Sequence, residues 1–237
     1  IFVFANTGQE NEETLQFIDK CSKQFNFPVI WLEGVYHKKI GVGTTHKIVT
    51  FETACRDGSL FESFISVYGI PNQANPQCTR ELKGAVIKSY ARSIGWKHYH
   101  TAIGIRSDEC DRISPNAKRM RLIYPLISQV PMTKPMINFW WSKQPFRLNL
   151  KGYQGNCMWC WKKSLPKLIK IAQESPEKFA VPVYLENKYG NYFPSHRAEK
   201  FVSEGKALPK KITFFRNNRS ASEILEMAKT AKPIIKD

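Results

Sequence analysis

Two cysteines three positions apart, Cys157 and Cys160, are the residues of this sequence best suited to chemistry. They stand in the stretch "GNCMWCWKK" (residues 155–163), between tryptophans and ahead of two lysines. Three interpretations of the pair are open: a redox-active dithiol, half of a metal site, or a packed hydrophobic turn with buried thiols. The order of the surrounding elements does not match a thioredoxin-like fold, which disfavours the redox interpretation.

As metal ligands, two cysteines supply only half of a site, because thiolate sites for zinc or iron–sulfur clusters generally use three or four ligands. Cys78, in "NPQCTRELK" at a predicted loop–helix junction, is the leading candidate for a further ligand. Cys110, in "SDECD", is the second candidate. His98 and His100 could serve zinc, although a single histidine near a strand is more often structural.

Cationic side chains form a second set of candidate site residues. Arg80 and Lys83 lie one turn apart on the helix predicted after the "NPQC" segment, and Arg106 and Arg112 bracket the loop after a predicted strand. Guanidinium groups bind phosphate and sulfate oxygens in pairs, and a strand end can aim them into a site. The sequence therefore predicts an anion site, while solvated surface cations are the alternative. No catalytic residue is assigned.

Composition limits the class of protein and of partner. The 237 residues carry 36 Lys and Arg against 20 Asp and Glu, a net charge of +16. This surplus favours a polyanionic partner, such as nucleic acid or nucleotide phosphates. The hydrophobic content of 42% indicates a globular chain, and no apolar run reaches the roughly 20 residues of a membrane span. We find no secretory signal, so we expect a cytoplasmic protein whose six cysteines are not a disulfide framework.

Apolar periodicity predicts the elements that position these residues. Residues 1–4 read as a buried strand, residues 15–25 as a helix and residues 28–36 as a second strand, which together form the βαβ unit of a parallel sheet. Further helices are predicted at residues 59–69, 79–95, 133–144, 165–176 and 220–231, a further strand at residues 100–105, and a strand or extended segment at residues 122–127.

Five segments in this order resemble the phosphoadenosine phosphosulfate (PAPS) reductase family, of the N-type ATP pyrophosphatase and adenine nucleotide α-hydrolase-like superfamily. The similarity runs from about residue 1 to about residue 163. The segments are "VFANTGQENEETLQFIDKCSKQF", "NPQCTRELK", "AIGIRSDECDR", "YPLISQVPMTKPMINFWW" and "GNCMWCWKK".

The resemblance implies a mostly parallel twisted sheet with helices on both faces, bearing a nucleotide-binding domain at residues 1–150 and a cysteine-bearing carboxyl-terminal region at residues 151–237. It implies that Thr7 and Gly8 line the nucleotide loop, and that Arg80, Lys83, Arg106 and Arg112 hold anionic groups. It also implies that Cys78, Cys157 and Cys160 ligate a [4Fe–4S] cluster, with Cys110 as a possible fourth ligand and zinc as the alternative metal.

The sequence also departs from the family pattern. The Ser-Gly-Gly phosphate loop would precede Ile1, so we expect that the chain is a fragment. The first cysteine pair is reduced to Gln77-Cys78, and no cysteine follows Cys160 to act as the nucleophile of a sulfonucleotide reductase.

Three cysteines on a cluster resemble the ATP-dependent RNA thiolases of the superfamily, which leave one iron open to hold sulfur. The resulting expectation is an enzyme that uses ATP or another adenine nucleotide for sulfur activation or transfer, as a sulfurtransferase that thiolates nucleic acid, with a sulfur donor protein as a possible partner. There are two alternatives. One is a sulfonucleotide reductase, which is an oxidoreductase, and the other is a non-catalytic nucleic-acid- or protein-binding module on the same fold.

Overall fold

The computed structural model describes residues 1–39, 41–205, 207–208 and 211–232, apart from the side chains of residues 195–197 and 200. Compactness divides the chain into two units, Ile1–Tyr90 with Leu150–Asp237, and Ala91–Asn149. The sequence predicts a different division, at residue 150, between a nucleotide-binding domain and a cysteine-bearing region. That division is defined by function and stays a prediction.

Helices and short strands alternate along the described chain. In order they are β1 (Phe2–Ala5), α1 (Glu12–Gln24), β2 (Val29–Tyr36), β3 (Thr44–Val49), α2 (Ser59–Tyr68), a π-helix (Cys78–Gly84), α3 (Ala85–Ser93), β4 (Thr101–Ala102), a 3₁₀ helix (Ser107–Arg112), α4 (Ala117–Met120), β5 (Leu122–Ile123), α5 (Pro125–Ser128), α6 (Lys134–Ser142), α7 (Leu165–Glu174), a 3₁₀ turn (Pro176–Phe179), α8 (Ala180–Tyr189), α9 (Ser195–Ser203), a 3₁₀ turn (Arg216–Asn218) and α10 (Ala221–Thr230). The chain is thus of the mixed α/β class.

The first unit contains the predicted βαβ unit. β1 pairs in parallel with β2, from Phe2 opposite Val29 to Ala5 opposite Leu32. α1 connects them and begins with Glu12 and Glu13, whose carboxylates suit the positive end of the helix dipole. The sequence did not predict β3, which pairs antiparallel with β2.

An aromatic core holds this unit together. Trp159 lies on the loop before α7, is 1% exposed, and packs edge-on against Phe61 of α2 at 5.3 Å and Phe214 at 4.8 Å between ring centroids. Phe64 and Leu185 of the same cluster are fully buried. The core therefore joins a helix near the start of the chain to segments more than 90 residues later, and it fixes where the cysteine loop lies.

The second unit is sparsely packed. β4 pairs in parallel with β5 over two residues, and only Ala91, Ile105 and Tyr124 are buried in the unit. The strand predicted at residues 122–127 stops after Ile123, because Pro125 has no N–H to donate and instead begins α5. The strand predicted at residues 100–105 is likewise reduced to two residues.

The sheets bear on the predicted fold class. The described strands form one three-stranded sheet, in the order β1-β2-β3, and one two-stranded sheet. A larger twisted parallel sheet with helices on both faces remains a proposal.

Among the described residues, every helix is too short or too polar to cross a lipid bilayer.

Candidate functional site

The loop at the carboxyl end of β1, residues 6–11, folds around the side chain of Glu10. The Glu10 carboxylate accepts hydrogen bonds from the backbone N–H of Thr7 at 3.0 Å and of Gln9 at 3.3 Å, and from the Thr7 hydroxyl at 2.8 Å. Carboxyl ends of parallel strands are where α/β sheets place ligands. The N–H and hydroxyl donors of this loop are arranged to bind a carboxylate or similar group, and the group that they bind in this structure is the Glu10 side chain.

Gly8 is required by the shape of this loop. Its φ of +72° lies in the left-handed region, which residues with a Cβ seldom adopt. A Cβ at this position would also come within 3.2 Å of the Cys55 sulfur and 3.4 Å of the Leu60 Cβ. The predicted nucleotide loop therefore has a close wall formed by residues 55–60.

A buried carboxylate fixes the other side of the loop. Glu33 of β2 is fully buried and accepts hydrogen bonds from the Asn6 amide at 2.7 Å and from the Cys55 backbone N–H at 2.6 Å. Its second oxygen lies 2.9 Å from the Lys47 ammonium of β3. Because a buried charge is costly without partners, these contacts tie β1, β2 and β3 to one arrangement at the strand ends.

The cysteine loop docks directly onto the loop after β1. The Asn11 backbone N–H donates to the Asn156 carbonyl at 2.8 Å, and the Met158 N–H donates to the Gln9 carbonyl at 2.9 Å. The Trp159 indole N–H donates to the side-chain oxygen of Gln9 at 2.7 Å. The two loops thus form one site, although about 150 positions separate them in the sequence.

Cys157 and Cys160 lie together in this site. Their side chains hydrogen-bond to each other, which lowers the pKa of the Cys160 thiol and raises the pKa of the Cys157 thiol. The Lys162 backbone N–H and the positive charges of Lys163 and Lys162 also lower the pKa of Cys160. Burial raises the pKa of Cys157 further. A pair with one readily formed thiolate suits metal ligation as well as nucleophilic chemistry.

Cys78 stands beside this pair, at the start of the π-helix. Burial raises the pKa of its thiol to about 11, and a hydrogen bond from Trp161 opposes that rise. The charge of the Cys160 thiolate also raises the pKa of Cys78. Within the part of the chain that is described, no three His, Cys, Asp or Glu residues are arranged as a metal site. Three thiols beside buried tryptophans nevertheless fit a soft-metal centre by donor chemistry.

Lysines surround the cysteine loop. The Lys163 ammonium donates to the Cys157 carbonyl, and the Lys178 ammonium donates to the Asn11 side-chain oxygen at 3.0 Å. Burial lowers the pKa of Lys163, and the charges of Lys167 and Lys178 lower it further, against the opposing effect of the two thiols. These lysines place positive charge beside the cysteine loop, and positive charge favours anionic ligands and thiolates.

The predicted anion-binding cations of the first unit differ in their partners. Arg80 is exposed, pairs with Glu81 at 2.7 Å and donates to the Gln77 side chain at 2.5 Å. Lys83 is exposed one turn later on the π-helix. An anion that binds Arg80 would compete with Glu81 for the guanidinium. The anion-binding role of Arg80 and Lys83 stays a prediction.

The predicted cations of the second unit are held by acidic neighbours. Arg106 pairs with Asp108 at 2.9 Å and with Glu109 at 3.2 Å, and Arg112 pairs with the same Glu109. Cys110 is exposed on this 3₁₀ helix and its thiol donates to the Ser107 carbonyl at 3.0 Å.

The histidines considered for zinc are exposed in the same unit: the Arg121 guanidinium contacts His98 Nδ1 at 2.7 Å, and His100 is exposed.

Sequence reasoning missed Gln9, Glu10 and Asn11 as site residues. Glu10 precedes the helix, which begins at Glu12, and its carboxylate turns back to the loop instead. The available signal was the spacing Thr-x-x-Glu, in which the carboxylate three residues on can return to the backbone N–H groups of a turn. The roles of Gln9 and Asn11 had no local signal, because their partners belong to the cysteine loop.

Comparisons with known proteins give one distant relative. Over 171 residues the chain is 29% identical to a protein of Escherichia phage lambda described as "Uncharacterized nin region protein ORF290", covering 70% of this chain and 58% of that protein. The chain thus spans less than two thirds of the relative's length. No protein-family model and no solved structure matches the chain.

Proposed function

We propose that this chain is a PAPS-reductase-like enzyme that uses ATP or another adenine nucleotide to activate or transfer sulfur, with a nucleic acid as the acceptor. The observation that supports it best is the docking of the Cys157–Cys160 loop onto the Thr7–Gly8 loop at the carboxyl end of β1. A sulfur-binding centre and a nucleotide loop must lie close together if one acts on what the other has activated. The proposal includes the larger twisted parallel sheet with helices on both faces.

In this proposal the loop after β1 receives the nucleotide. Thr7 and Gly8 line this loop, while Arg80 and Lys83 bind the phosphates and Arg106 and Arg112 bind anionic groups of the substrate. The cations act by charge-assisted hydrogen bonds to phosphate oxygens, for which the guanidinium fork is the better geometry.

Cys78, Cys157 and Cys160 would hold a [4Fe–4S] cluster, with Cys110 as a possible fourth ligand. Held by the first three cysteines without Cys110, the cluster would leave one iron open as a place for sulfur. Two buried rings, Trp159 and Trp161, 1% and 6% exposed, flank Cys160 in the sequence, and the Lys163 ammonium donates to the Cys157 carbonyl. Zinc on the same thiols is the alternative metal.

The metal is tested by anaerobic purification with iron, sulfide and zinc analysis and a visible spectrum. We expect about four iron and four sulfide per chain. The variants Cys78→Ala, Cys157→Ala and Cys160→Ala should lose the metal, while the matched control Cys21→Ala, a half-buried thiol on α1, should keep it. One zinc per chain without iron would replace the cluster with a structural zinc site, and full occupancy in Cys78→Ala would remove Cys78 as a ligand.

The reaction is tested separately with the reconstituted protein, ATP, a sulfide source and bulk RNA or DNA. We expect AMP formation that depends on nucleic acid, and a thiolated nucleoside detected by mass spectrometry after digestion. Sulfite release from a sulfonucleotide with a thiol donor would instead identify a reductase. Failure to bind any adenine nucleotide would favour a non-catalytic binding module.

A further inference from the structure

Exposed apolar side chains line one face of α6 in the second unit. Met136, Phe139 and Trp140 lie at positions i, i+3 and i+4 of this helix, which places them on the same face. Their exposures are 48%, 63% and 43%. Aromatic rings with this exposure at helical spacing are unusual on a soluble surface and mark a place where another molecule binds.

Positive charge lies beside this face and near both ends of its helix. Lys143, one turn beyond Phe139, places its ammonium 4.1 Å from the centre of the Phe139 ring. Lys134 at the start of α6 and Arg147 after its end are both exposed. The binding partner of the face must therefore combine flat apolar surface with negative charge.

The second unit as a whole has the same character. Residues 91–149 contain ten Lys and Arg against three Asp and Glu. Two of these carboxylates, Asp108 and Glu109, are paired with Arg106 and Arg112 on the 3₁₀ helix, and Asp108 also accepts the backbone N–H of Lys134 at 3.2 Å. Of the seven aromatic side chains of the unit, only Tyr124 is buried.

We propose that the α6 face of Met136, Phe139 and Trp140 binds single-stranded nucleic acid, with Lys143 beside it and Lys134 and Arg147 near the ends of the helix. Bases stack on exposed rings regardless of sequence, and the cations neutralise the phosphates between them. A double helix keeps its bases stacked on one another and so cannot use the rings. This binding requires neither a nucleotide cofactor nor a metal, so it can be measured separately from the sulfur chemistry, although it shares a nucleic-acid partner with the proposed function.

The test is fluorescence anisotropy of the full chain with a labelled poly-dT or poly-U oligonucleotide of about 12 nucleotides, a length in the range that such surfaces cover. We expect Phe139→Ala to weaken binding about 5- to 100-fold, as the loss of one stacking platform does. The matched control is Phe2→Ala, because Phe2 is a ring of similar exposure, 56%, in the other unit. It should bind as the unaltered protein does.

Charge is tested with Lys143→Ala and Lys134→Ala. Each should lower the slope of log affinity against log salt by up to about one, if its ammonium neutralises a phosphate. A duplex of the same length should be insensitive to Phe139→Ala. Cys157→Ala should keep full oligonucleotide binding, so failure of the metal proposal and failure of this one can be told apart.

Two results would overturn the inference. One is oligonucleotide affinity that is the same in Phe139→Ala, Lys143→Ala and the unaltered protein. The other is concentration-dependent self-association, measured by analytical ultracentrifugation, that Phe139→Ala abolishes, since the face would then be a contact between copies of this chain.

Discussion

Single polar side chains determine how the two loops of the site meet. Gln9 is 1% exposed; its side-chain oxygen accepts the Trp159 indole N–H at 2.7 Å, and its amide donates to the Gly8 carbonyl at 2.7 Å. A buried polar atom that loses its partner costs the full free energy of desolvation. The Gln9–Trp159 contact therefore specifies one docked position for the cysteine loop rather than merely adding stability.

At this scale we predict the effect of Trp159→Phe. The variant removes the indole N–H and leaves the Gln9 oxygen buried without it, so the free energy of unfolding should fall by about 1–3 kcal/mol from this contact, in addition to the cost of the smaller ring. Urea denaturation measures the change. The control Trp96→Phe alters a ring that is 41% exposed and should change stability by less than about 0.5 kcal/mol.

A second variant keeps this prediction specific to the hydrogen bond. Gln9→Leu combined with Trp159→Phe removes both partners of this hydrogen bond and should recover part of the loss, because no Gln9 oxygen is then buried without its donor. The recovery is partial, since the Gly8 carbonyl also loses the Gln9 amide. If the double variant loses more free energy of unfolding than the two single variants lose together, the contact does not act as described.

Individual elements are joined by carboxylates in the first unit. Glu186 of α8 is 2% exposed and accepts the backbone N–H of Phe214 at 2.8 Å and of Ala221, the first residue of α10, at 2.7 Å. Burial raises the pKa of Glu186 to about 7, while these two hydrogen bonds and the charge of Lys211 oppose the rise and the charge of Glu223 adds to it. One side chain thus connects α8 to the start of α10.

This arrangement predicts a pH dependence of stability at the scale of these helices. Because the folded protein holds the Glu186 proton more tightly than the unfolded chain does, the free energy of unfolding should fall as the pH rises from about 4.5 to about 7, by at most about 3 kcal/mol from this group. Glu186→Gln should be less stable overall, since an amide offers only one acceptor for two N–H groups.

The pH effect is measured by urea denaturation at several pH values between 4.5 and 8. Other groups titrate in this range, so the informative quantity is the difference between the unaltered protein and Glu186→Gln. That difference should shrink as the pH rises toward 7. A difference that stays constant with pH would contradict a raised Glu186 pKa.

At the scale of the whole molecule, the two units differ in how much they bury. The first unit has an aromatic core that includes Phe64 and Phe214, both fully buried. The second unit buries only Ala91, Ile105 and Tyr124 among its 59 residues. Segments with few buried apolar contacts open at a lower free-energy cost than segments in a core.

We therefore predict unequal hydrogen exchange along the chain. Amides of β2, α2 and α7 should exchange ~10-fold or more slowly than those of α4, α5 and α6. Mass spectrometry of peptic peptides measures this at neutral pH. Addition of the oligonucleotide should then slow exchange in α6, whereas equal protection of both units in the free protein would contradict the difference in packing.

Local patterns predicted some parts of this fold well and others poorly. The β1–α1–β2 unit, α6, α7 and α10 were predicted from periodicity, because their hydrogen bonds and apolar faces are set within a few residues. β3, α8 and the two-residue strands β4 and β5 were missed or predicted too long. Their length depends on pairing and packing with distant segments, which periodicity does not contain.

The sequence by itself determined the thiol donors at positions 78, 157 and 160, the turn at Thr7–Gly8 and the excess of positive charge, because these depend on residue identity alone. Only the tertiary structure decided that the cysteine loop lies on residues 9–11, that Glu10 occupies the donors of its own loop, and that Arg106 and Arg112 are held by acidic neighbours. The physical reason is distance along the chain: a contact such as that of Gln9 with Trp159 forms only when the core between them packs.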